Sequence, residues 1–117
     1  MRKSPLPSLK KNNEFRTVFG KGKFAACPHF SVHALGNGLG LNRLGVQASK
    51  KVGGAVVRNK VRRLVKESCR LMAEELSCPF DIVIAARPSA GEFVCVHGFK
   101  GVDECVRKLF HKIGLLT

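Results

Sequence analysis

Acidic residues are nearly missing from the first part of this chain. Residues 1 to 66 hold fifteen Lys and Arg and one acid, Glu14, for a net charge of +14. Residues 67 to 117 hold six bases and seven acids, for a net charge of −1. Charge that only maintains solubility mixes its signs along a chain. Here one half reads as an electrostatic surface and the other as scaffold. The same scarcity argues against a metal-dependent nuclease site, which needs several carboxylates close together to hold cations at a phosphate. Asp81 opens an apolar run and Asp103-Glu104 opens an expected helix, where acids are simply stabilising, so neither forms a cluster with Glu14. A metal-free ribonuclease would want a histidine pair. His29 and His33 fall about 13 Å apart at strand rise, and His97 and His111 are isolated in sequence. No polypeptide catalytic site is expected.

Other absences narrow the class further. Tyr and Trp are missing, so base stacking is left to Phe and His. No apolar run reaches membrane-spanning length. The N-terminal MRKSPLPSLKK is basic but lacks the apolar core of a secretory signal. Cys27, Cys69, Cys78, Cys95 and Cys105 are odd in number and contain no CxxC pair. They read as small buried thiols of a cytoplasmic protein rather than as disulfides or zinc ligands.

What is present fits one domain of 117 residues with 44% hydrophobic content, a net charge of +13 and a pI near 10.2. Such a chain folds and favours a polyanionic partner. Residues 1–8 read as a loosely ordered basic arm, and 9–117 as the domain. Asn12-Asn13-Glu14 resembles a capped helix start, with Phe15, Val18 and Phe19 at helical spacing behind it. Phe24 to Leu35 contains strand-like alternation, with Phe30, Val32 and Ala34 on one side and His29, Ser31, His33 and Leu35 on the other. Gly36 to Gly40 reads as a hairpin loop and Leu41 to Ser49 as the return strand. The continuous apolar run Phe80 to Ala86 suits a central strand buried on both faces. Phe93 to Val96 is a candidate short strand, and Asp103 to Ile113 a C-terminal helix.

Between these lies the densest signal, Lys50-Lys51-Val52-Gly53-Gly54 followed by a helix expected over Ala55 to Leu76. Val57, Val61, Leu64, Val65, Ser68 and Met72 share one face at 100° per residue. Asn59, Arg62, Arg63, Lys66 and Arg70 share the opposite face, flanked by Arg58 and Lys60. Solvated helix faces normally mix signs, and this one carries no acid before Glu67. It is an anion-binding face opposite a core face. Phosphate is the natural partner, and basic side chains of this kind supply affinity with little sequence choice. A helix-turn-helix DNA reader would need a helix directly before the basic one, whereas strands precede it. Selectivity for single strands would come from aromatic platforms beside the charge, for which Phe15 and Phe19 are candidates.

Four segments, in order, resemble the protein component of bacterial ribonuclease P. They are Leu9-Lys10-Lys11 through Phe19, Arg43-Leu44-Gly45-Val46 through Lys51, Ala55 through Lys66 around Arg58-Asn59-Lys60, and Asp81 to Pro88. The resemblance implies a single α+β domain, an α/β sandwich in α-β-β-β-α-β-α order with a left-handed β-α-β crossover. It implies an accessory subunit, inactive alone, whose partners are a catalytic RNA and precursor tRNA, with neither membrane nor DNA. Mg²⁺ would act through the RNA, and no protein-bound cofactor is implied. Carried over by position, Phe15, Phe19, Ser31, His33, Gln47, Lys50 and Lys51 would line a cleft for the 5′ leader. Arg58, Asn59, Lys60, Arg62, Arg63, Lys66 and Arg70 would face the RNA. His33 stands where many relatives carry Tyr or Phe, and Gly54 where Asn is common. Residues 92–98 look longer than usual and receive no role. The competing reading is a ribosomal-type structural RNA-binding protein, which leader dependence would separate.

Overall fold

An apolar strand with no polar side can be placed only where both its faces are covered, and this requirement organises the sheet. In the computed structural model, which describes residues 6–9, 11–77 and 79–116, the elements in chain order are α1 (Asn12–Lys21), β1 (Lys23–Ala26), β2 (Phe30–Gly36), β3 (Arg43–Ala48), α2 (Ala55–Leu71), β4 (Phe80–Ala86) and α3 (Ala90–Lys112). The four strands form one sheet in the order β1-β2-β4-β3. β2 is antiparallel to both β1 and β4, and β3 is parallel to β4. Asp81, Ile82, Val83 and Ile84 of β4 are all buried.

The expected hairpin between β2 and Leu41–Ser49 does not form, because β4 inserts between them. The reason is chemical. β4 is apolar on both faces and takes an inner position. β3 carries Gly45 and the exposed Gln47 and sits at an edge. Along that edge, Leu9 N–H donates to Leu44 C=O at 3.0 Å and Leu44 N–H donates to Pro7 C=O at 2.8 Å. Residues 1–5 of the expected basic arm lie outside the described residues, as does Cys78.

The alternation within β2 separates two layers. Phe30, Val32 and Ala34 point into the main core with Ile82, Ile84, Leu44 and Ala48. There α2 contributes Val61, Val65, Cys69 and Met72, and α3 contributes Val94, Val102, Val106, Leu109 and Phe110. The opposite face carries a smaller cluster of Leu9, Val18 and Val83, with Phe15 and Leu35 packed against it, and α1 covers it. The molecule is thus a three-layer α+β sandwich: α2 and α3, the sheet, then α1.

Several local expectations change. The first helix is capped by the backbone of Lys11, and Glu14 Oε1 accepts from Lys11 N–H at 3.1 Å, so the Asn pair lies inside the helix. α2 ends at Leu71 and passes into a 3-10 turn, Ala73–Glu75, five residues short of its expected end at Leu76. The expected strand Phe93–Val96 is helical. Its apolar residues Phe93 and Val94 fit the inner side of α3, which starts at Ala90 instead of Asp103. The helical signal was hidden because Gly98, at φ 61° and ψ −153°, interrupts the helix and offsets its phase. Asp103 therefore lies within the helix. It accepts from Ser68 Oγ at 2.7 Å and from Arg107 Nε at 3.0 Å, and so ties α3 to α2. Among the cysteines, Cys69 is buried and Cys27 and Cys105 are half-buried, but Cys95 is exposed. Burial, with Cys27 beside it, pushes the Cys105 thiol up to about 11.

Candidate nucleic-acid interface

Two surfaces collect the residues singled out in the sequence, and they are built differently. The first is the outer side of α2. A 17-residue helix with an apolar stripe buried against α3 must turn its other side to solvent. Asn59, Arg62, Arg63, Lys66, Glu67 and Arg70 line an open hollow there of about 450 Å³. Lys60 is exposed beside it and Arg58 is half-buried at the first turn. Glu67 holds Arg70 by two hydrogen bonds at 2.7 and 3.1 Å, so this acid offsets one end of the face. Among the described residues, Lys60, Arg62, Arg63 and Lys66 have no carboxylate within ion-pair distance. Arg62 instead reaches Ala48 C=O and Asn59 Oδ1, both at 3.2 Å, which stiffens it against the end of β3. The buried Nε of Arg58 has no hydrogen-bond acceptor. Gly54 provides the N-cap with no side-chain cap, leaving first-turn N–H groups open.

The second surface lies between α1 and the sheet. Register places Ser31, Ala85 and Gln47 in one row, His33, Val83 and Gly45 in the next, and Leu35, Asp81 and Arg43 in the third. α1 covers the last two rows. Phe15 lies over Gly45 so closely that a Cβ there would fall 2.5 Å from its ring, which makes Phe15 a packing residue. Phe19 is 37% exposed and meets His33 edge-on at 4.6 Å between ring centroids. Phe24, 59% exposed, meets the same imidazole at 4.8 Å from the β1 side. The sequence reading missed Phe24; its signal was an aromatic one strand away from His33 at paired register. Ser31, expected on the cleft floor, is only 8% exposed, while Gln47, Lys50 and Lys51 are open to solvent. Burial lowers the His33 pKa below its ordinary 6.5, so the ring is neutral at neutral pH, and its buried Nδ1 has no partner.

One guanidinium sets the spacing of this cleft. Arg43 Nη1 donates to Glu14 Oε2 at 2.8 Å, and its Nε and Nη2 grip both oxygens of Asp81 at 2.8 and 2.7 Å. Asn37 Nδ2 adds a bond to Asp81 Oδ1 at 2.8 Å. Burial works against the Asp81 charge, but the bonds from Arg43 and Asn37 outweigh it and hold the carboxyl below its usual range. The bridge fastens α1 to β3 and β4. It also commits Glu14 and Asp81, the carboxylates nearest the cleft, to a guanidinium. Among the described residues no three His, Cys, Asp or Glu gather as metal ligands. At the far end of the sheet, His97 is not isolated as its sequence position implied: it meets Phe93 at 4.7 Å, and Phe93 stacks on His29 at 4.1 Å.

A family model described as ribonuclease P matches residues 5–114. The chain belongs to the ribonuclease P protein family. The ribonuclease P protein component of Alkaliphilus metalliredigens is 38% identical over 109 residues, covering 93% of this chain and 95% of its own. That of Thermoanaerobacter sp. strain X514 is 40% identical over 110 residues, covering 94% and 91%. The fold agrees as well. The RNase P protein of Staphylococcus aureus superposes with a TM-score of 0.84 at 26% identity, covering 94% of this chain and 97% of that one. The Thermotoga maritima protein does so at 0.83 and 31%, covering 91% and 96%. The chain is an RNA-binding accessory subunit of the ribonuclease P endoribonuclease, in tRNA 5′ maturation, and the ribosomal-type alternative is not favoured.

Proposed function

We propose that the two surfaces divide the work of this subunit. The outer face of α2, with Arg58, Asn59, Lys60, Arg62, Arg63, Lys66 and Arg70, holds the catalytic RNA. The cleft, with Phe19, Phe24, His33, Gln47, Lys50 and Lys51, holds the 5′ leader of precursor tRNA, and Phe15 and Ser31 support it from beneath. The observation that carries this reading is the contrast in chemistry. Among the described residues, one surface has Lys60, Arg62, Arg63 and Lys66 free of carboxylate partners on one helix face, and the other has exposed rings around a neutral imidazole. Phosphates are bound by the first kind of surface, and unpaired bases by the second.

Mg²⁺ belongs to the RNA in this scheme. A hard cation needs several oxygen donors, and the two carboxylates beside the cleft are taken up by Arg43. The protein's part is to offset repulsion between two polyanions, which lowers the Mg²⁺ needed for productive binding. The test is to mix the chain with a ribonuclease P RNA at low Mg²⁺ and read the 5′ end of the product. Matured ends should appear only with both components present, and precursor should bind the particle more tightly than mature tRNA. Cleavage by the protein alone, or equal binding of the two tRNAs, would overturn the division of labour.

A further inference from the structure

Residues 92–98 have no place in either surface, yet Phe93 and His97 among them build a second cluster of rings. His29, Ser89, Glu92, Phe93, Val96 and His97 line an open hollow of about 370 Å³ at the start of α3. Its wall is a cluster of rings: His29 stacks on Phe93 with a 21° interplanar angle, and His97 lies tilted against Phe93 at 37°. Phe93 is anchored from below by Phe30, edge-on at 6.4 Å. Val96 is 69% exposed and His97 is exposed, so the cluster opens to solvent.

Hydrogen bonding fixes the polarity of this hollow. Ser89 Oγ has one hydrogen, which it donates to Pro28 C=O at 3.0 Å. Its contact with His29 Nδ1 at 2.8 Å must then be accepted by the hydroxyl, so Nδ1 carries the proton. With Nδ1–H donating to Ser89, Nε2 is the ring nitrogen left without that bond. Glu92 adds a carboxylate to the lining. The hollow therefore offers ring faces and acceptors, and its carboxylate repels phosphate.

The hollow lies at the end of the sheet where β3 and β4 finish. Arg87 N–H donates to His29 C=O at 2.9 Å, one residue beyond the pair Phe30–Ala86 and two beyond the row Ser31, Ala85 and Gln47. Arg87 leaves β4 at this end, and Ser49, Lys50 and Lys51 leave β3 at the same end. A strand leaving the cleft by this end passes Lys50, Lys51 and Arg87 and reaches the rings by turning over the end of the sheet.

We propose that the His29–Phe93–His97 hollow is a second seat for an unpaired RNA base, selective for bases that carry an exocyclic amino group. The stacking comes from the imidazole faces, and the amino group donates to His29 Nε2 or the Glu92 carboxylate. The inference rests on the reading that single-stranded RNA occupies the cleft, and the experiment separates the two. Fluorescence anisotropy would follow oligocytidylate and oligouridylate octamers binding to the free protein, to His97→Ala and to Phe19→Ala. His97 is exposed, so its loss leaves the fold intact. The wild-type protein should bind oligocytidylate severalfold more tightly than oligouridylate. His97→Ala should weaken oligocytidylate about fivefold or more, the loss expected for one stacked base, with the salt slope unchanged. If His97→Ala binds both oligomers like wild type while Phe19→Ala does not, the hollow is no RNA seat and the cleft stands. Should Phe19→Ala bind like wild type, the cleft reading fails. A fall in salt slope with His97→Ala would make the interaction a phosphate one, and equal binding of the two oligomers by wild type would remove the amino-group selectivity. Either result overturns the proposal as stated.

Discussion

The outer face of α2 and the cleft under α1 lie on opposite sides of one sheet and differ in almost every physical respect. The α2 face is charge without rings. Its cations stand on a helix stiffened by burial of the opposite stripe, and among the described residues Glu67 is the one acid within the hollow they line. The cleft is rings around a neutral imidazole, with Lys50 and Lys51 at one end, and the carboxylates beside it are already neutralised by Arg43. A polyanion drawn to the first surface gains long-range, salt-sensitive attraction. One drawn to the second gains short-range stacking that tolerates salt and sequence. Under the proposed division of work, that difference would let a small subunit hold two RNA segments without confusing them.

Four changes would break or sharpen that contrast. The largest effect should come from Arg62→Ala, Arg63→Ala and Lys66→Ala together. Binding to the catalytic RNA should weaken strongly, and the log–log salt slope should flatten by about 0.7 to 0.9 for each phosphate no longer neutralised. Filter-binding titrations over a range of salt would measure this, and an unchanged slope would make the face merely solvated. Next comes Phe19→Ala. Affinity for leader-bearing substrate should fall by about 1 to 3 kcal/mol with the slope unchanged, while affinity for the catalytic RNA stays put. Phe15→Ala should instead lower the melting temperature, because its ring packs over Gly45.

The smallest effect concerns His33. Its pKa is lowered by burial, so the folded state binds its proton less readily than the unfolded chain does. Stability from the neutral ring is therefore full above the ordinary 6.5 and declines as pH falls below it. His33→Phe should flatten that part of the stability–pH curve, as seen in melting temperatures between pH 7 and pH 5. A variant with the same pH dependence as the wild type would show that His33 is not the titrating group. Asp81 behaves in the opposite sense chemically but loses stability in the same direction, at more acidic pH, since its lowered carboxyl must be protonated before the Arg43 bridge fails.

Much of this was legible in the residues. Phasing at 100° per residue placed Val61, Val65, Ser68 and Met72 inside and Arg62, Arg63 and Lys66 outside, because a helix of this length cannot bury both sides. The apolar run Ile82 to Ile84 announced an inner strand. Other features were invisible for definable reasons. Strand order depends on competition between strands for the covered position, so adjacency of β2 and β3 in sequence suggested a hairpin that β4 displaces. Gly98 shifts the helical phase and made Phe93 to Val96 look like a strand. The Arg43 bridge joins Glu14, Arg43 and Asp81 from three elements, and no local spacing connects them. His29 and His97 were set aside as separate for the same reason.

By itself, then, the sequence determined the charge asymmetry, the two-sided basic helix, the buried strand and, through its motifs, the family. Those are properties of composition and period, which each segment carries wherever it lies. The tertiary structure alone decided which rings meet: Phe19 and Phe24 on His33, and His29 and His97 on Phe93. Meetings between residues tens of positions apart follow from how the sheet is ordered and where the helices dock. That outcome belongs to the packing of the whole chain, because it is settled by burial competing across all elements at once.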